Sequence, residues 1–327
     1  MAADTLSSSI AAALRAADPD GLAALARIEP VDDRDAAISL LSIHDVHLGR
    51  LADVGPAARL QHHPALAALQ WRLDERFLKR LERLDRSDGP RLTTRPDDAV
   101  SALRAIAAID RVPRVYEWLA EEATLEQAVA YLSAEGGPDG GFDDLVAACQ
   151  IGLDGEPKLE MARNYWDEMG NGSLERVHTE LHRKLGRALG LRHIPREDQP
   201  LEALERSALG SLLATNRWLQ PEMVGALGMI ELQAGPRCRK VVAALQRFDV
   251  GWDAVDFYAE HQEADPRHGK DWLDNVIAHL QDDPEWAARI VRGARWRSAV
   301  NHAFFRAMER EIGVRSGADA ERATVAA

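Results

Sequence analysis

Two short stretches place a carboxylate three residues before a histidine: Glu175 and His178 in ERVH, and Asp265 and His268 in DPRH. A carboxylate and an imidazole on one helix face can grip a metal ion, share a proton or simply face water. The chain carries 53 Asp and Glu and 11 His in 327 residues. About two histidines would therefore have such a neighbour by chance, so the pattern needs support from its surroundings.

Helical geometry supplies some of that support. Side chains three and four residues apart share a helix face. In YAEHQEADPRHGKDW, His261, Asp265 and His268 stand at i, i+4 and i+7. On a helix they would form one stripe about 10 Å long, at about 1.5 Å of rise per residue. Glu231 lies beside the apolar run ALGMI, where burying a carboxylate is costly unless it is paired or metal-bound. Glu135 closes the segment before the glycine cluster GGPDGG.

The candidate metal ligands are thus Glu135, Glu175, His178, Glu231, His261, Asp265 and His268. Oxygen and imidazole donors suit iron or manganese better than a thiolate zinc site. Di-iron sites in helical bundles use inward carboxylates together with carboxylate-x-x-His pairs. Four carboxylates would neutralise two divalent ions, and the set contains four.

The elements that must position these residues read as helices. Apolar residues recur at three- and four-residue steps, in AAISLLSIHDVHLGRLADV (36–54) and ALAALQWRLDERFLKRLERL (65–84) for example. Ala, Leu, Arg and Glu dominate, and no sustained two-residue alternation appears. The expected fold class is all-α. Thr124 and Gln127 predict a capping box at the start of one helix. The break RSDGPRLTTRPDD (86–98) is read as a linker. It divides an N-terminal helical extension, 1–95, from a larger helical domain, 96–312, with a frayed tail at 313–327.

Composition narrows the function classes. Apolar residues make up 46% and charged residues 28%, as in ordinary soluble proteins. The net charge of −13 offers no basic excess for a nucleic-acid backbone. No apolar run reaches the roughly 20 residues of a membrane span. The N-terminus lacks the pattern of a signal peptide. Two cysteines, Cys149 and Cys238, are too few for a disulfide framework, so a cytoplasmic location is the expectation. His44 and His47 form another i, i+3 pair, read as packing because no carboxylate motif accompanies them.

A family resemblance then enters. YWDEMGNGSLERVHTELHRKL (165–185) resembles the signature DEYGxGxxExxHxxLF of haem-oxygenase-like iron-containing redox enzymes, also called haem-oxygenase-like di-iron oxidases. FYAEHQEADPRHG (257–269) resembles their FYDEHxxxDxxHG. The segment around Glu231 resembles their AxEMTSSLP helix, and SAEGGPDG occupies the place of their first ligand helix. The resemblance covers about residues 111–295.

It implies a seven-helix haem-oxygenase-like bundle that binds two iron ions and activates O2. Carried over by position, Glu175, His178, Asp265 and His268 are ligands and the expected catalytic core, joined by Glu231 and His261. Glu135 would complete the set, with Glu168 as its rival. The implied activity is oxidation of a small organic substrate bearing an amine or a carboxylate, fed by an external reductant. Homodimerisation stays open. Two features depart from the pattern. Pro266 stands inside the expected histidine helix, where it removes a donor and disfavours helix at Asp265. About 110 N-terminal residues have no counterpart. The Pro266 departure keeps an alternative open, a metal-free binding or partner module on the same fold.

Overall fold

The computed structural model describes residues 5–93, 96–109, 111–135 and 141–312. The glycine cluster 136–140 and the tail expected at 313–327 lie outside the described residues. Among the described residues every regular element is helical. The N-terminal region comprises α1 (Leu6–Ala16), α2 (Pro19–Leu25), α3 (Asp33–Leu48), the short α4 (Leu51–Val54) and α5 (Pro64–Asp88). Then follow α6 (Ala99–Ile109), α7 (Arg114–Glu121), α8 (Leu125–Ala134), α9 (Phe142–Cys149), α10 (Gly155–Glu168) and α11 (His178–Leu189). The chain continues through α12 (Leu201–Thr215), α13 (Gln220–Arg247), α14 (Asp256–Asp271), the short α15 (Ala278–Leu280) and α16 (Pro284–Glu311).

Local chemistry explains several boundaries. The Thr124 side chain accepts from the Gln127 amide while the Gln127 side chain accepts from the Thr124 amide, the reciprocal cap that starts α8. Asp283 caps α16 through the amides of Glu285 and Trp286. The start of α6 is capped from a distance: Gln281 Oε1 accepts from the amides of Ala99 and Val100.

The two longest helices of the bundle, α13 and α16, pack against each other, and α14 lies along α13. Their approach is close because small residues stand at the crossings. A Cβ at Gly225 would run into the Ile290 carbonyl, and one at Gly293 into the Glu222 carbonyl. Gly235 faces Pro266, where a Cβ would sit 2.9 Å from the ring. Pro266 therefore does not break α14. The helix runs through it, with the ring against α13, and Asp265 and His268 both stay buried. A six-residue π-helical turn, Trp272–Ile277, follows. There Trp272 donates to the Val224 carbonyl at 3.1 Å.

The N-terminal helices share the core of the bundle. One apolar cluster runs from Leu6 and Ile10 through Leu66 and Leu81 to Leu209, Val224 and Ala299. Helix α3 packs on α12, and α5 packs on α16. Polar contacts fasten the same joint. His44 is bonded to Asp74 at 3.0 Å and to Ser211 at 2.7 Å, and Arg80 donates to buried Glu205 at 2.6 Å. A second apolar cluster gathers α7, α8, α11, the far half of α13 and the end of α16.

Candidate metal centre

The functional side chains meet where the two apolar clusters join, midway along α13. Helix α10 brings Glu168 as its last residue. Three consecutive left-handed residues, Gly170, Asn171 and Gly172, then turn the chain. This conformation suits glycine and is tolerated by asparagine. After a short 3-10 turn, Leu174–Arg176, α11 starts at His178. The turn folds His178 back on Glu168, with Nδ1 2.7 Å from Oε2. Helix α13 contributes Glu231, and α14 contributes His261, Asp265 and His268.

Two groups of three form. Glu168, His178 and His261 have ligand atoms within 4.8 Å of one another, and so do Glu168, Glu231 and His268. Glu168 belongs to both. Donors that share one cation at about 2.1 Å lie at most about 4.2 Å apart, so small side-chain rotations would close either group on an ion. Asp265 lies on α14 between the two histidines and lines the same cavity.

Burial and charge make this cluster expensive without a cation. Glu231 is 3% exposed, Asp265 2% and His268 5%. Asp265 Oδ2 and His268 Nδ1 are buried without a hydrogen-bond partner among the described residues. Burial first, and then the charges of Glu231 and Glu168, push the Asp265 carboxyl well above the usual range. Burial would raise Glu168 too, but the bond from His178 and the nearby imidazoles outweigh it and hold Glu168 low. Burial depresses His261 to about 4, helped by the charge of His178. At His268 burial works against the charged ring, yet Glu231 and Asp167 prevail and carry its pKa up to about 9. Crowded buried carboxylates and imidazoles with orphaned donor atoms are what a divalent cation would satisfy.

Outer partners fix the ring orientations. Asp167 accepts from His268 Nε2 at 2.9 Å, and His261 Nδ1 donates to the Phe257 carbonyl at 2.8 Å. His268 thus turns Nδ1 inward, and His261 turns Nε2. Asn164 donates to Glu231 Oε1 at 2.6 Å. Asn164 and Asp167 were not among the expected site residues, since nothing in their spacing marks them.

Three expected ligands belong to neither group: Asp265, which lines the cavity beside them, Glu175 and Glu135. Glu175 is exposed in the 3-10 turn before α11, because the helix that would align it with His178 begins only at His178. The structure puts Glu168 beside His178 instead. Glu135 lines the cavity, but Tyr116 and Tyr131 both donate to its carboxylate. Among the described residues it joins neither ligand group. His178, Glu231, His261 and His268 all fall within the two groups.

The cavity at the ligands has a volume of about 190 Å3. Its lining includes the apolar and aromatic side chains of Ile230, Val241, Phe257, Tyr258 and Phe305. Cys238 also lines it, but burial holds that thiol well above its ordinary pKa, so it stays protonated and offers no thiolate.

Carboxylate and imidazole donors of this kind in a helical bundle suit a metal such as iron or manganese. Residues 129–302, more than half of the chain, match the profile of the iron-containing redox enzymes. The chain belongs to that family, and its fold is the haem-oxygenase-like bundle. It is similar to two crystal structures, each described as a CADD-like protein of unknown function from Nostoc punctiforme PCC 73102. The first has a TM-score of 0.48 at 17% identity, covering 73% of this chain and 97% of the other. The second has 0.45 at 16%, covering 73% and 95%. Among curated proteins none matches. No helix among the described residues is long and apolar enough to cross a membrane.

Proposed function

We propose that the protein is a non-haem di-iron oxidase or oxygenase that uses O2 to oxidise a small organic substrate. The observation that carries this reading is the sharing of Glu168 between two three-ligand groups. One ion would be held by Glu168, His178 and His261, and the other by Glu168, Glu231 and His268. Asp265 would supply a further carboxylate from the same face of α14. When bound, two ferrous ions supply the electrons for a two-electron reduction of O2, and an external reductant restores them.

The chain's own residues have clear tasks in such a reaction. Asn164 and Asp167 hold Glu231 and His268 in place. The aromatic and aliphatic wall keeps bulk water from the reacting atoms. The motive for a metal-free module weakens, since Pro266 leaves Asp265 and His268 buried at the site.

Anaerobic Fe(II) titration tests the proposal. About two irons per chain are expected, with the stoichiometry reduced by His178→Ala and by His268→Ala. Iron-loaded protein should then consume O2 in the presence of a reductant. A chain that takes up no iron, or whose uptake ignores both substitutions, contradicts the reading.

A further inference from the structure

The cavity at the ligands is too small for a substrate of ordinary size. Small-molecule sites usually start at about 300 Å3, whereas this one offers about 190 Å3, and cations would occupy part of it. A second cavity of about 430 Å3 adjoins it. The two share Phe142, Arg206, Ile230 and Arg297. Beyond that junction the second cavity is walled mainly by Leu145, Leu209, Leu213, Met223 and Leu227. His47 and Leu48, at the end of α3, also line it. These two residues lie outside the family match, so the N-terminal region builds part of a chamber that opens towards the metal centre.

We infer that this second cavity holds the apolar body of the substrate, and that the substrate is a carboxylate whose anionic group sits at Arg206. Arg206 lines both cavities. Its guanidinium stacks over the Phe304 ring at 4.4 Å, and one amino group donates to the Glu135 carbonyl at 3.4 Å. Its Nε is buried with no hydrogen-bond partner among the described residues. A planar guanidinium fixed by an aromatic ring, with a donor left over, suits a carboxylate. Among the described residues Asp144 is the one carboxylate lining the second cavity, so an amine is the competing head group and the test must separate the two. That the ligand is a substrate rests on the di-iron reading. Its binding to the cavity does not.

The test uses metal-free, full-length protein and the fluorescence of anilinonaphthalene sulfonate, an anionic apolar probe. Octanoate and octylamine compete with it. Octanoate should displace the probe from a single site about tenfold more effectively than octylamine, and Arg206→Gln should weaken octanoate by about the same factor. Leu213→Trp, which fills the chamber, should abolish binding. If that variant loses its circular dichroism spectrum, Ala214→Trp at a half-buried wall position should give the same loss. Equal competition by octylamine, or octanoate binding untouched by Arg206→Gln or by the filling substitutions, overturns the inference. Fe(II) titration of the same preparations keeps the two readings apart. Lost iron uptake with carboxylate binding intact fails the metal centre alone. Intact iron uptake without carboxylate binding fails the chamber alone.

Discussion

Asp167 Oδ2 accepts a hydrogen bond from His268 Nε2 at 2.9 Å, and Arg267 donates to the same oxygen at 2.7 Å. An ionised carboxylate has no proton to give, so the hydrogen must reside on Nε2. That leaves Nδ1, 3.6 Å from Glu231 Oε2, as the nitrogen that faces the cluster. One turn earlier Asn164 grips Glu231 itself. The end of α10 thus holds candidate ligands of both α13 and α14 while contributing Glu168.

Replacing the carboxylate should loosen this arrangement without unfolding it. In Asp167→Asn the amide can present its NH2 to Nε2, which favours the wrong tautomer of His268. Iron affinity should fall about 10–100-fold, the usual effect of losing an outer partner of a metal-bound histidine. Anaerobic Fe(II) titration measures it, and an unchanged isotherm would show that Asp167 has no such role.

The shared position of Glu168 gives a sharper contrast. Glu168→Gln removes the one carboxylate common to both ligand groups and should abolish uptake of the second iron. Glu175→Gln alters an exposed side chain and should leave stoichiometry unchanged. Iron analysis of the two variants side by side decides which glutamate of the motif serves the metal. The reverse outcome would restore the spacing-based expectation.

Much of this was legible in the sequence, and the failures have a local cause. The stripe His261, Asp265 and His268 keeps its register because α14 stays helical through Pro266. That required Gly235 opposite, a residue thirty-one positions away that no local pattern connects to Pro266. The Glu175–His178 spacing does not put the two on one helix face, because an i, i+3 relationship holds only within one helix. Val177, with φ −55° and ψ 128°, is extended, so the helix does not reach back to Glu175. The glycines after Glu168 were the available signal, since they mark the end of α10 and place its last carboxylate at the turn. Asn164 had no such signal, and Asp167 stood in the matched stretch with no role assigned to it. Their roles arise from α10 packing beside helices distant in sequence.

Asp35 offers a test of how the N-terminal region is held. Its carboxylate is buried and accepts from the amides of Leu6, Ser7 and Val31 at 3.1, 2.8 and 3.0 Å. Burial would raise its pKa, but the bonds from Ser7, Val31 and Leu6 outweigh it and hold the carboxyl below its ordinary value. A group depressed in the folded state stabilises above its unfolded pKa of about 3.9, and the gain fades as pH falls through the folded value. Asp35→Asn should therefore cost about 1–3 kcal/mol at neutral pH. In urea unfolding, the gap between variant and parent should narrow below about pH 4. A gap constant with pH would mean that the charge contributes nothing.

Two glycines on different helices separate backbone proximity from helix propensity. At Gly225 a Cβ would strike the Ile290 carbonyl, a backbone atom of α16 that cannot rotate away. Gly225→Ala should gain about 1 kcal/mol of helix propensity and lose more by forcing α13 from α16. Its thermal midpoint should fall by several degrees. Because Glu231 lies under two turns further along α13, the shift should also weaken iron binding. At Gly186, inside α11, a Cβ meets nothing within 4 Å. There alanine should add up to about 1 kcal/mol, since only the propensity term acts. Calorimetry of the two variants reads both signs. A stabilising Gly225→Ala would mean that the two helices do not approach as closely as described, and the position of Glu231 would then need revision.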